Sequence, residues 1–442
     1  MSPTELVDDA VSLTLSCTKA LGHPLSSYSE IEGYLLQYFI EGIGPNCSLS
    51  ISYNPYISLI TPLSFYHSTL RSALLAVAAN QLRLLGDSRF QKEACLYKDN
   101  ALRGLQQAII TDSLDYGAVA TVLMLCFHDI SDGCDPSWVA HLRGGLKLIE
   151  YVSARSRQCE PLRRFLTMYF VAHDIMSRTA TESRYEDKIS CSWLEADDLD
   201  EVRLFDAFQL GRRWKLTQVK IDGVMGCSRN LMTLIDRISA LASEKQEILK
   251  FRPLTPVEIE SYTSASNEIE MSLRFLKQNL PLHSSDRNEL KRIAETKRLT
   301  ALLYLQERLG LAADSPDDDT NIPSDPLTPG SAEMETSSSE NALLSTRQCK
   351  RHLVSLIIKL ISTLPNTATL LWPLFVLGNT GLDSEEHRRF ILDRLEHIQK
   401  TRNLGSVRRA RLAVKRAFRM RDLDYPSGHL WGDHKSGFIS LA

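Results

Sequence analysis

The chain has 442 residues, enough for two or more domains or for one large helical array. Its 43% hydrophobic and 24% charged content is that of an ordinary soluble globular protein, and its net charge of -3 excludes a global attraction to nucleic acid or to an anionic membrane. Any such affinity has to be local. The nine cysteines are scattered, odd in number and free of any Cys-x-x-Cys pair, which reads as thiols serving as small core residues in a reducing compartment.

Residues 1–28 are weakly patterned. Glu5, Asp8 and Asp9 stand where an export signal is basic, and no long apolar core follows. The longest uncharged apolar runs fall short of the roughly 20 residues that span a bilayer, so an intracellular, soluble protein without a membrane partner is expected. Ser29 is placed to cap a helix carrying Ile31, Leu35, Tyr38 and Phe39. A loop rich in Ser, Asn and Pro follows over 42–62. Residues 68–86 form a broad apolar helix closed by Gly86, and residues 89–110 an amphipathic one bearing Phe90, Ala94, Tyr97, Ala101, Leu105 and Ala108.

The stretch 118–150 is the centre of the pattern. Residues 118–130 are apolar on nearly every side, so a helix there must be covered all round. Asp135 and Pro136 take the N-cap and N1 places of a second helix, whose stripe is Trp138, Leu142, Leu146 and Ile149. Pro161 starts another, bearing Leu162, Phe165, Tyr169, Ala172 and Met176. Residues 179–225 are irregular and polar. From Ser228 the helical period resumes with Leu231, Leu234, Ile235, Ile238, Leu241 and Ala242. Thr255, Pro256 and Glu258 make a capping box for a helix carrying Tyr262, Ile269, Leu273, Leu276 and Leu280, which Pro281 ends. Another spans 286–310.

Residues 314–341 differ in kind, with eight acidic residues, no basic one and four prolines. Such a segment cannot bury enough apolar surface to offset its ordering entropy, and it reads as a disordered insert. Helices return over 343–364, around 372–377, over 385–401 and over 407–422. No stretch alternates like a half-buried strand, and no fixed-period repeat is present. The expected fold is all-α: a single large irregular helical domain with one disordered acidic insert. Its parts are a weakly ordered N-terminus (1–28), a main helical part (29–313), the insert (314–341) and a C-terminal helical part (342–442).

Two His-Asp dipeptides, His128-Asp129 and His173-Asp174, with His67 and His141, suggest the ligands of a helical metal phosphohydrolase. Against this, His141 and His173 fall on or beside apolar stripes, where a buried imidazole usually bonds to a neighbour. Asp197, Asp198, Asp200 and Glu201 resemble the magnesium-binding carboxylates of terpene cyclases but sit in the irregular polar stretch. No phosphate loop or nucleophile elbow occurs, and Gly144-Gly145 reads as a place of close helix packing. No catalytic, metal or cofactor residue is assigned, and the chain is expected not to be an enzyme.

The strongest signal outside the core is residues 402–421, with eight basic residues and no acidic one. With Ser406 as cap, Arg408, Arg411, Lys415 and Arg419 form one stripe, Arg409 and Arg416 lie beside it, and Val407, Ala410, Val414 and Ala417 make the opposite seam. Such a stripe meets phosphates, an acidic partner or the acidic insert of the same chain; the plain alternative is a solvated face.

Residues 54–175 resemble the regulatory domain of fungal zinc-binuclear-cluster transcription factors. The likeness rests on Asn54-Pro55, on Ile60-Thr61-Pro62-Leu63, on the small and apolar helix 70–82, and on Trp138, His141, Leu142, Gly144 and Gly145. Tyr169, Phe170, His173 and Asp174 extend it, as do residues 226–241 and Trp372-Pro373-Leu374-Phe375. The resemblance implies transcriptional regulation in a nucleus, by a helical unit that responds to a ligand or dimerises. The targets it implies are pathway-specific gene sets, including secondary-metabolite clusters. The family's six-cysteine DNA-reading module needs Cys-x2-Cys-x6-Cys twice, and only Cys17 and Cys47 precede the matching region. The expectation is a regulator without its own zinc cluster, or a chain whose N-terminal zinc-cluster exon is missing. DNA is then met directly through Arg408, Arg411, Lys415 and Arg419, or through a zinc-cluster partner, and a homo- or heterodimer is a further expectation. The alternatives are a helical metal-dependent enzyme and a helical scaffold with no nuclear role.

Overall fold

Residues 116–132 carry no charge before His128-Asp129, and they form a helix enclosed on nearly every side. The computed structural model describes residues 28–50, 53–155, 160–180, 219–280, 287–310, 336–382, 384–423 and 439–442. The first helices are α1 (Glu30–Tyr38), α2 (Ser68–Leu84), α3 (Gln91–Ile110), α4 (Tyr116–Asp132), α5 (Ser137–Arg155) and α6 (Glu160–Arg178). Then come α7 (Arg229–Leu249), α8 (Pro256–Phe275), α9 (Arg287–Leu309), α10 (Thr336–Ser362), α11 (Leu371–Asn379), α12 (Glu385–Arg402) and α13 (Gly405–Asp422). Short helical turns at Phe39–Ile43, Gly44–Cys47, Tyr56–Ile60 and Thr61–Ser64 join α1 to α2.

Helix α4 is started by Asp115, whose Oδ1 accepts from the Ala118 N–H at 2.9 Å. From Tyr116 to Ser131 only Phe127 and Ile130 are not fully buried, because α2, α3, α5, α6 and α13 enclose it. Each fully buried Val, Leu or Met of such a helix contributes about 1.5–3 kcal/mol, and this one buries Val119, Val122, Leu123, Met124 and Leu125. A second layer gathers around α9, which packs on α7, α8, α10 and α11. The layers meet where α6 touches α7 and where α13 bridges α11 and α4.

The chain is all-α, and most helix starts follow their capping residues. Ser29 with Glu32, and Thr255 with Glu258, form reciprocal capping boxes, and Ser228 caps α7 through the Leu231 N–H at 3.3 Å. Four expectations need correction. The helix drawn through Leu276 and Leu280 ends at Phe275, and Gln278–Asn279 (β2) pairs in parallel with Val219–Lys220 (β1). The reason is tertiary: the Gln278 side chain accepts from the Ser228 N–H and donates to the Ala294 carbonyl, both at 2.8 Å. Helix α5 begins at Ser137, just past the expected Pro136. Ser406 is not a cap: α13 starts at Gly405 after Leu404, and Ser406 is buried inside its first turn. Helix α10 starts at Thr336, so residues 336–341 of the expected insert are helical, while 314–335 lie outside the described residues.

Among the described residues no helix is long and apolar enough to cross a membrane.

Candidate functional site

The tempting His-Asp constellation does assemble in part. Asp129 on α4 is buried, and its Oδ1 lies 2.6 Å from Lys98 Nζ on α3 and 3.1 Å from His128 Nδ1. Its Oδ2 accepts from the Ser137 hydroxyl at 3.0 Å and lies 3.4 Å from His141 Nε2, both on α5. Burial by itself raises the pKa of this carboxyl. The donors His128, His141 and Lys98 outweigh it and hold the group far below the usual carboxylate range. The lysine ammonium shares Oδ1 with His128, and the cluster ties three helices together. Among the described residues no group of three or more His, Cys, Asp and Glu side chains is placed to hold a metal.

The other histidines separate. His67 Nε2 faces Asp115 Oδ2 at 3.5 Å, and His173 Nδ1 lies 2.8 Å from the Ser440 hydroxyl. Asp174 pairs with Arg178 at 2.9 Å, and Arg178 also reaches Asp236 on α7 at 2.7 Å. Asp197, Asp198, Asp200 and Glu201 lie outside the described residues. The Gly144-Gly145 pair divides its work: the Phe170 ring rests on Gly145, whereas a side chain at Gly144 would meet open space.

The basic C-terminal helix is partly turned inward. Its seam of Val407, Ala410, Val414 and Ala417 is buried against α11, α12 and α4. Arg408 donates to the Asn403 carbonyl at 2.6 Å and to the Asp132 carbonyl. Arg409 donates to the Gly133 carbonyl at 2.7 Å and pairs with Asp135. Arg411 pairs with Glu396 on α12. Arg416 and Arg419 are exposed, and Lys415 is half-buried. The stripe read as one face therefore has a root that clamps the turn after α4 and a distal end open to solvent.

A third feature was missed by the reading of the sequence. Between the layers lies a cavity of about 350 Å³. Its wall draws Tyr56 from the loop before α2, Phe127 from α4, Phe165 and Tyr169 from α6, Met232 from α7 and Lys297 from α9. Tyr56 and Phe165 pack edge to face with centroids 5.1 Å apart, and the Tyr169 ring lies 4.2 Å from that of His173. Burial pushes the His173 imidazole down to about 3, so it is neutral at physiological pH. Lys297 is 2% exposed, and its Nζ donates to the Met225 carbonyl at 2.7 Å. Burial lowers its pKa, while Cys227 and Asp222 oppose the shift. The root of α13 reaches the same cavity through Leu404 and Ser406. One signal was available in the sequence. Lys297 sits in the stripe Leu290, Ile293, Ala301 and Tyr304, where a lysine is out of place.

A family model described as the fungal specific transcription factor domain matches residues 34–435, nearly the whole of the described helical body. The chain belongs to that family. Its role is accordingly that of a transcription regulator, and this helical body is the regulatory domain. No curated protein and no solved structure matches it. The two tryptophans that carry the likeness are packing positions of the domain: Trp138 and Trp372 are fully buried, and the Trp372 indole donates to the Thr179 hydroxyl at 3.0 Å.

Proposed function

We propose that the protein regulates a pathway-specific gene set in the fungal nucleus, such as a secondary-metabolite cluster. In this reading it does so without catalysis, and residues 1–442 contribute no six-cysteine module to DNA reading. The observation that carries the reading is the family match over residues 34–435. Two features support the finer points. The Asp129 carboxylate is already occupied by Lys98, His128, Ser137 and His141, which leaves it no free ligand position for hydrolytic chemistry. Arg408 and Arg411 make contacts within the chain, so the stripe meets DNA or an acidic partner through Lys415 and Arg419, with Arg416 beside them. Sequence-specific DNA reading then comes from a zinc-cluster partner in the same complex.

The test is chromatin immunoprecipitation of the tagged protein, with transcript profiling of a deletion strain. Occupancy at a limited set of promoters whose transcripts change on deletion is the expected result. A cytosolic protein with no promoter occupancy and no transcript change would falsify the proposal.

A further inference from the structure

The cavity between the layers has an apolar wall and one polar group out of balance. Five aromatic and four methionine side chains line the wall, Tyr56, Phe165 and Met232 among them. Its volume of about 350 Å³ falls within the range of small-molecule sites.

Lys297 is the exception to that wall. An ammonium carries three donors, and one of them is taken by a neutral acceptor, the Met225 carbonyl. Among the described residues Lys297 has no carboxylate ion-pair partner within 4.0 Å. A buried cation in this state is costly unless a counter-charge reaches it. Asp222 also faces the cavity, but its Oδ1 accepts from the Val224 and Met225 N–H groups at 2.7 and 3.0 Å, which shapes the turn that presents the Met225 carbonyl. Arg229 and Arg164, the latter 4.0 Å from Glu160, also line the wall, so with Lys297 its cationic side chains outnumber its one carboxylate side chain, Asp222. Among the described residues the buried Tyr169 hydroxyl has no polar partner beyond the Cys126 thiol, and it offers a further donor.

We propose that this cavity binds a lipophilic carboxylic acid, with its apolar body among the aromatic and methionine side chains and its carboxylate against Lys297. The occupant touches Leu404 and Ser406, the root of the basic helix α13, which Arg408 and Arg409 hold to the turn after α4. Binding is thus placed next to the element that presents Lys415, Arg416 and Arg419. That the ligand is an effector rests on the regulatory reading above, whereas the binding chemistry stands without it.

The experiment is calorimetric titration of the purified full chain with three probes that share one apolar body: 4-hexylbenzoic acid, 4-hexylbenzyl alcohol and 4-hexylbenzylamine. The acid is expected to bind at least about tenfold more tightly than the alcohol, and the amine not to bind. Lys297→Met, which replaces the ammonium by an apolar group of similar length, is expected to erase the preference for the acid while keeping the alcohol. Met168→Trp fills the cavity and is expected to weaken both acid and alcohol at least about tenfold. Equal binding of acid and alcohol by the natural protein overturns the proposal. So does no binding of any probe, a preference that survives Lys297→Met, or binding unaffected by Met168→Trp. Because the assay contains no DNA, a failure of the regulatory reading leaves its outcome intact, and its own failure leaves promoter occupancy untouched.

Discussion

Gly405 rests on the carbonyl of Asp132: a Cβ at Gly405 would lie 2.5 Å from that oxygen and 2.8 Å from the Cys134 nitrogen. The first residue of the basic helix is thus packed backbone to backbone on the turn that ends the central helix. Gly405→Ala is expected to cost about 1–3 kcal/mol, because neither backbone can retreat without moving a helix. Urea denaturation measures it, with Leu412→Ala, on the exposed side of the same helix, as a control expected to stay within about 0.5 kcal/mol. Equal midpoints for the two variants would show that the contact is not rigid.

The glycine pair on α5 offers a sharper contrast. Phe170 occupies the space over Gly145, and nothing stands within 4 Å of a Cβ at Gly144. Gly145→Ala is expected to destabilise by about 1–3 kcal/mol through overpacking. Gly144→Ala is expected to stabilise by up to about 1 kcal/mol, since alanine is the better helix former. Thermal melts of the two variants should move in opposite directions.

Asp129 supplies a pH dependence with a defined sign. Burial raises its pKa, but His128, His141 and Lys98 more than reverse this, so the folded carboxyl ionises well below the unfolded one. A group depressed in this way contributes its stability above the unfolded pKa and loses it as the pH falls. Stability of the natural protein should therefore decline from about pH 5 downward, and Asp129→Asn should flatten part of that decline. At neutral pH the same variant leaves the half-buried Lys98 without its charged partner, a loss of about 1.5–3 kcal/mol for a hydrogen bond to a charged group. Urea midpoints at pH 7 and pH 4 for both proteins check the two statements together.

The two ends of α13 should respond differently to mutation. Arg408→Ala removes donors from the Asn403 and Asp132 carbonyls and is expected to lower stability by about 1–3 kcal/mol. Lys415→Glu with Arg419→Glu should change stability by no more than about 0.5 kcal/mol per site while reducing promoter occupancy. Thermal melting and chromatin immunoprecipitation on the same variants separate the roles. Full occupancy by the double variant would remove the distal end of the helix from the binding reading.

Much of the helical layout was legible because its signals are local. The capping boxes of Ser29 with Glu32 and Thr255 with Glu258 lie within one turn of chain, and the apolar all-round character of residues 118–130 shows in a single window. Where local and distant forces compete, the local reading fails. Leu276 and Leu280 continue the helical period, yet the bonds of Gln278 to Ser228 and Ala294 draw that stretch into a strand.

The sequence by itself determined the all-α class, the central helix, the inward seam of α13 and the family, since each depends on spacing along the chain. Tertiary structure alone decided which polar groups meet. It set Lys98 against Asp129, turned Arg408 and Arg409 onto the Asp132–Cys134 turn, and left Lys297 facing a cavity walled by segments far apart in the chain. The physical reason is that a buried charge is defined by its neighbours in space, and a one-dimensional period records only which side of a helix faces inward.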